Sequence, residues 1–198
     1  MSVSDVAAKV GIALFALLVL GTPAEADLRR WTPVAGQSEV GFRASFPLGD
    51  FAGRTQEISG EVRADPSDLR QGISGEVQIR PSGLRTGDDA RDRDMYKTLA
   101  IDRFPEIRFT VIQVEASFPS MTDRADVLLT VSGVMSIRGV KRPMAFPARV
   151  RLRDDKLWVR GEGELKMSEF GIRPPSRLFL DVKDAVVVSF DLLLAYDP

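Results

Sequence analysis

The chain has 198 residues, with 27 Lys and Arg against 28 Asp and Glu, no histidine and no cysteine. That balance lacks the basic excess of a nucleic-acid binder or of a protein held to anionic membranes by charge, and the missing thiols exclude disulfide stapling, so a packed core must supply the stability. Without His or Cys the usual nucleophile and base pairs and nearly all transition-metal sites are absent, which leaves paired carboxylates as the remaining route to hydrolysis.

The first residues, Lys9, an apolar run from Val10 to Leu20 and then Ala24-Glu25-Ala26, have the layout of a secretory signal peptide with a small-residue cleavage site. The run has 11 residues, short of the ~20 that span a bilayer as a helix. The expectation is a signal peptide over 1–26, a mature domain over 27–198 starting at Asp27, and a periplasmic location. Removing 1–26 takes away Lys9, Asp5 and Glu25 and leaves 26 basic and 26 acidic residues.

Eight strand-like blocks follow: 38–46, 56–64, 73–82, 107–115, 126–138, 143–153, 156–168 and 185–196. Alternation is clearest late in the chain. Met144, Phe146, Ala148, Val150 and Leu152 share one parity while Arg149, Arg151 and Arg153 share the other, as a half-buried antiparallel strand requires. In the next block Leu157, Val159, Leu165 and Met167 alternate with charged residues, and Gly161 and Gly163 fall on the inward parity, where a glycine marks a bend or a close approach. Only Asp154-Asp155 separates these two blocks. Such short connections make neighbours antiparallel, and closure into a barrel removes the edges that long strands would otherwise expose.

Eight strands enclose either a core filled by side chains or room for one small ligand. The inward parity carries Val40, Phe42, Phe46, Val77, Ile79 and Phe109 in the first half of the chain. In the second half it carries Met135, Ile137, Met144, Phe146, Met167 and Phe190. This mixture of aromatic rings with flexible thioethers suits a guest, although an ordinary solid core has a similar composition.

One connection breaks the rhythm, the 24 residues from Gly83 to Glu106. Connections are usually ~4–6 residues long, so this one should contain structure of its own. From Asp89 to Ala100 there is neither Gly nor Pro, and Met95 and Leu99 make an i, i+4 apolar pair. The spacing predicts a helix over 89–100, capped by Asp88 or Asp89 and ended before Phe104-Pro105. Phe104 would then plug the barrel mouth.

Several segments in order resemble one family, the YceI-like or polyisoprenoid-binding proteins. They are Ser38-Glu39-Val40-Gly41-Phe42 with Gly49-Asp50-Phe51-Ala52-Gly53, Leu84-Arg85-Thr86-Gly87 with Ala90-Arg91-Asp92, Phe104-Pro105-Glu106-Ile107-Arg108-Phe109, the run from Gly133 to Pro143, and Phe170-Gly171-Ile172. The resemblance spans about Trp31 to Tyr196. It implies an all-β, lipocalin-like, eight-stranded antiparallel barrel with a short helix between strands three and four, exported to the periplasm, that takes an isoprenoid-like or other long lipid chain into its interior. Leu84, Met95, Leu99 and Phe104 join the inward residues as candidate lipid contacts. In this family a histidine often follows the Arg-Asp pair, whereas this chain has Met95 near that position and no histidine.

The polar candidates are Arg91 and Asp92, which could tie the helix to a neighbouring loop or meet a lipid head group, and Arg138 in the basic run Arg138 to Arg142, which reads first as a turn formed with Gly139. The carboxylates Asp88, Asp89, Asp92 and Asp94 are interrupted by Arg91 and Arg93 and lack the glycine and distal Glu of a calcium loop. The reading is a carrier or scavenger, without cofactor, metal or catalysis and without a nucleic-acid partner; the alternative is a solid barrel acting through its surface as an interaction or stress-protective module. A transient membrane contact is compatible with the carrier, and Trp158, on an outward parity, could serve a homodimer.

Overall fold

The computed structural model describes residues 28–69, 72–121, 126–177 and 180–197. The expected signal peptide and the start at Asp27 lie outside the described residues. The strands and helix are β1 Arg29–Pro33, β2 Glu39–Phe46, β3 Gly49–Thr55, β4 Ile58–Ala64, β5 Ser74–Ile79, α1 Asp89–Leu99, β6 Ile107–Ala116, β7 Val127–Ile137, β8 Val140–Arg153, β9 Lys156–Lys166, β10 Ser176–Arg177, β11 Leu180–Asp181 and β12 Ala185–Asp197. From neighbour to neighbour the sheet runs β1-β4-β5-β6-β7-β8-β9-β12, and β12 pairs back onto β1 to close it. β2 continues β1 along the same edge of β12, and β3 continues β4 by pairing with β2. Two interrupted staves and six single strands therefore make the eight-stranded antiparallel barrel that the sequence predicts.

The first two staves are longer than the blocks 38–46 and 56–64. β1, Arg-Arg-Trp-Thr-Pro, and β3, Gly-Asp-Phe-Ala-Gly-Arg-Thr, are poor in β-branched residues. Their pairing with β12 and β2, and not intrinsic propensity, puts them in the sheet. The block 73–82 stops at Ile79, because Pro81–Gly83 forms a 3-10 turn, and the block 156–168 stops at Lys166, because Met167–Phe170 forms another. The two-residue hairpin turns after β7 and β8 use the left-handed region, Arg138 and Gly139 at φ 52° and 76° and Asp154 and Asp155 at 50° and 53°, which matches the right-handed twist of the flanking strands.

α1 begins where its cap predicts: the Asp88 carboxylate accepts from the backbone N–H groups of Ala90 and Arg91 at 2.9 and 3.0 Å. It ends at Leu99, one residue short of the expected end. The stop is Ala100, at φ 51°, whose N–H bonds back to Lys97 O, so the helix has terminated before Phe104-Pro105 is reached.

Apolar side chains gather in two clusters, one towards each end of the barrel. The first centres on Trp31, Val127, Val150, Leu157 and Leu194, each at most 3 % exposed. The loops after β4 and β6 seal this end, bonded to one another through Leu69 N–H to Pro119 O at 2.7 Å and Met121 N–H to Pro66 O at 2.9 Å. The second cluster, at the α1 end, contains Met135, Ile137, Phe146, Leu165, Phe170 and Ile172, with Leu99 of α1 packed against it. Outside, charges are matched in pairs: Asp126 meets Arg149 and Arg151, and Arg160 meets Asp191 at 2.8 Å.

Candidate functional site

Between the two clusters the wall is built from phenylalanines and glycines in register. Phe42 on β2 pairs with Gly53 on β3, and Phe190 on β12 pairs with Gly161 on β9. Each ring occupies the space where a glycine's side chain would be: a methyl on Gly53 would lie 2.4 Å from Phe42 Cε1, one on Gly161 2.4 Å from Phe190 Cζ, one on Gly163 2.6 Å from Phe146 Cδ1, and one on Gly133 2.7 Å from Phe109 Cζ. The rings thus rest on the backbone of an adjacent strand instead of projecting towards the barrel axis. Edge-to-face contacts link three of the rings, Phe109 to Phe146 at 5.4 Å and Phe146 to Phe190 at 6.1 Å between centroids, and Phe42, edge-on to Phe51 at 6.2 Å, completes the belt.

The burial pattern leaves room in the middle of the barrel. Val131, Val159, Val188, Phe42 and Phe190 face inward by their register, yet they are only half-buried, whereas Trp31 and Val150 at the sealed end are 0 % and 1 % exposed. Side chains that face inward from the middle of a closed wall can be reached by solvent only if the space they face is unfilled. The lining is apolar throughout the belt and carries no ionisable group.

At the α1 end the cover is held by one polar bracket. Asp92, 5 % exposed, accepts from Thr86 N–H at 2.9 Å and from the Thr86 hydroxyl at 2.5 Å. Arg91 Nε donates to the same hydroxyl oxygen at 3.0 Å, and its guanidinium lies 5.0 Å from the centre of the Phe51 ring. The pair therefore joins the helix to the loop before it through Thr86. That loop docks in turn on β3, where Arg54 and Arg85 exchange backbone bonds of 3.0 and 2.9 Å. Tyr96 donates to Leu84 O at 2.7 Å and receives a bond from Arg85, and partial burial raises its phenol above the usual value against the opposing pull of the Arg85 charge.

Replacing Asp92 with alanine leaves the Thr86 donors unmatched, and hydrogen bonds to a charged group contribute about 1.5–3 kcal/mol each. Hydrogen exchange in 90–100 should then accelerate by at least about tenfold while 143–167 is unchanged. Equal exchange in mutant and wild type would show that the bracket does not hold the helix down.

The structure brings most of the sequence-selected residues together. Phe42, Phe109, Phe146 and Phe190 form the belt with Val40 and Val77 beside it, and Met135, Ile137, Met144, Met167 and Leu99 pack at the α1 end. Phe46 packs on Phe51 at the rim with centroids 6.2 Å apart. Ile79 and Leu84 are buried outside both clusters, and Met95 is half-buried on α1. Phe104 does not plug the mouth. It lines a groove of about 500 Å³ on the outer wall with Glu76, Arg108, Thr110 and Ser136, and its ring lies against the Arg138-Gly139 turn. Arg138 sits in that turn and donates to Gly171 O at 3.0 Å. Sequence reasoning missed the part played by Thr86, Phe51, Gly53 and Gly133. The parity of Gly133 within its strand could have indicated it, whereas Phe51 and Gly53 lie in a strand made only by its partner and nothing local marks Thr86. Among the described residues, no group of three or more Asp or Glu side chains could hold a metal ion, and no helix is long and apolar enough to cross a membrane.

A closed antiparallel barrel of eight staves with an apolar hollow centre and a helical cover is the class that this geometry defines. The family model of the YceI-like domain matches residues 31–194, and the chain belongs to that family. Three solved structures share the fold. The chain is 17 % identical to BcnA of Burkholderia cenocepacia, with a TM-score of 0.68, covering 81 % of this chain and 98 % of that one. It is 16 % identical to a polyisoprenoid binding domain from Saccharophagus degradans implicated in plant cell wall breakdown, with a TM-score of 0.65 and 86 % and 99 % covered. To the YceI protein of Campylobacter jejuni it is 16 % identical, with a TM-score of 0.59 and 74 % and 84 % covered. Comparison with curated proteins gives no match.

Proposed function

We propose that the protein is a periplasmic lipid carrier or scavenger that encloses one isoprenoid-like or fatty-acyl chain in the barrel and performs no chemistry on it. The observation that carries this reading is the belt of phenylalanines laid on glycines, which leaves an unfilled apolar lumen between two packed ends. The naming of one structural relative as a polyisoprenoid binding domain supports the same ligand class. The export signal read in residues 1–26 supports the compartment.

Affinity should come from the chain and not from a head group. Each methylene moved out of water contributes about 0.8 kcal/mol, so ~12 enclosed carbons give roughly 8–10 kcal/mol gross. Ordering the chain and lost translational freedom offset several of these. The nearest cations have other work, Arg91 in the bracket and Arg138 on Gly171 O.

Native mass spectrometry of the purified protein tests the proposal. It should show about one co-purifying lipid per chain, or uptake of one added farnesol or palmitoleic acid, on a polypeptide mass beginning at Asp27. A protein that carries no lipid and takes up neither probe would overturn the carrier reading, and a mass beginning at Met1 would overturn the export reading.

A further inference from the structure

The most exposed large apolar side chain among the described residues is Leu48, at 76 %. It lies at the tip of the turn between β2 and β3, next to an exposed Pro47 and near the contacting rim rings of Phe46 and Phe51. This turn is at the α1 end of the barrel, where the cover is. Lys183 N–H donates to Ser45 O at 2.7 Å and brings the loop before β12 alongside it, while the bond from Arg138 to Gly171 O joins the β7–β8 turn to the 3-10 turn after β9.

Segments far apart in sequence, 43–51, 138–143, 166–177 and 180–184, are thus gathered along the rim at the α1 end. Their described side chains include seven Lys or Arg (43, 138, 141, 142, 166, 173 and 183) against four Asp or Glu (50, 169, 181 and 184), in a chain whose total is 27 against 28. One of those carboxylates, Asp184, is engaged by the Ser168 N–H and hydroxyl at 2.8 and 2.5 Å, bonds that hold its carboxyl below the usual carboxylate range. Arg43, Lys141, Arg142, Arg173 and Lys183 are exposed and form no ion pair with a described residue. The barrel wall differs, since Arg30, Arg108, Arg149, Arg151 and Arg160 each lie within 4 Å of a carboxylate.

We infer that this rim docks on an anionic lipid bilayer, with Leu48 inserted among the acyl chains and the unpaired cations set against the phosphate layer. A single leucine at the end of a turn suits shallow, reversible insertion, and clustered basic side chains near an anionic surface strengthen it in a salt-sensitive way. The inference rests on the carrier reading, since it places the end with the helical cover against the source or destination of the lipid.

The test is co-sedimentation with sucrose-loaded vesicles of equimolar phosphatidylglycerol and phosphatidylcholine, or of phosphatidylcholine alone. Wild type, Leu48→Glu and the double variant Lys141→Glu with Arg142→Glu are compared in identical N-terminal form, with circular dichroism confirming the fold of each. Wild type should partition at least about tenfold better onto the anionic vesicles and be released by salt, and each variant should lose about tenfold or more of that partitioning. No sedimentation of wild type, equal sedimentation with both vesicles, or variants indistinguishable from wild type would overturn the inference. Native mass spectra of the same samples separate the two readings. Bound lipid without vesicle binding removes the docking surface and leaves the carrier standing, and vesicle binding by a lipid-free protein that takes up no probe does the reverse.

Discussion

On the carrier reading, Gly163→Val should lose lipid binding while remaining a folded barrel. A methyl at position 163 would lie 2.6 and 2.9 Å from Phe146 Cδ1 and Cε1, and no backbone atom is among its closest neighbours. The ring must therefore leave the floor it rests on. Phe109 and Phe190 stand on either side of it, so the direction left open is towards the lumen. Overpacking of this kind costs about 1–3 kcal/mol of stability. If the displaced ring takes the room of ~3 methylenes at about 0.8 kcal/mol each, affinity for a long chain falls about fiftyfold. Titration with palmitoleic acid followed by native mass spectrometry reads this directly. Adding Phe146→Ala to Gly163→Val should return much of the lost binding, because the space is vacated from the other side. Wild-type affinity in the folded single variant would mean that the lipid does not lie along this wall. The neighbouring glycine is a poorer choice, since a methyl at Gly161 also comes within 2.5 Å of Pro147 O and would disturb the sheet itself.

Trp31→Ala should be the most destabilising single substitution. Trp31 is 0 % exposed, sits at the centre of the sealed-end cluster, and its indole N–H points at Ala64 O at 3.4 Å. It also lies in the strand that closes the ring, paired with Tyr196 on one side and Val62 on the other. Truncating a buried tryptophan costs about 3–5 kcal/mol, because the cavity left behind closes only in part. In a domain of this size that lowers the melting temperature by about 10 °C or more. Chemical denaturation followed by circular dichroism provides the measurement. A loss below about 1 kcal/mol would show that the closure of the barrel does not depend on this cluster.

Much of this architecture could be read from residue order. The alternation of Met144 to Leu152 against Arg149 to Arg153, with a two-residue turn before the next strand, is a local pattern with one physical solution, and the helix from Asp89 was announced by its cap and by the absence of Gly and Pro. β1 and β3 were not legible, because Arg-Arg-Trp-Thr-Pro and a segment with two glycines have no period of two. Only their partners make them strands. Phe104 was misplaced for a related reason: its apolar character suggests burial but not on which side of a wall. The ring-on-glycine pairs lay half within reach, since the inward parity of Gly161 and Gly163 predicts a close approach while the identity of the ring comes from register across strands. The basic rim was not legible at all. Its charges are spread over more than a hundred positions of a chain that is neutral on average, and only folding gathers them.

The absence of ionisable side chains from the belt bears on how a bound lipid would leave. A pocket that holds its ligand with a histidine or a carboxylate can be emptied by acid, because protonation changes what the wall offers the ligand. Phenylalanine, valine and glycine offer a proton nothing to act on. On the carrier reading, retention of an uncharged isoprenoid chain by the lumen should therefore be indifferent to the acidity of the surroundings. On that reading unloading becomes a matter of address: it would follow from what the cover meets, and a carrier drifting free in solution would keep its lipid.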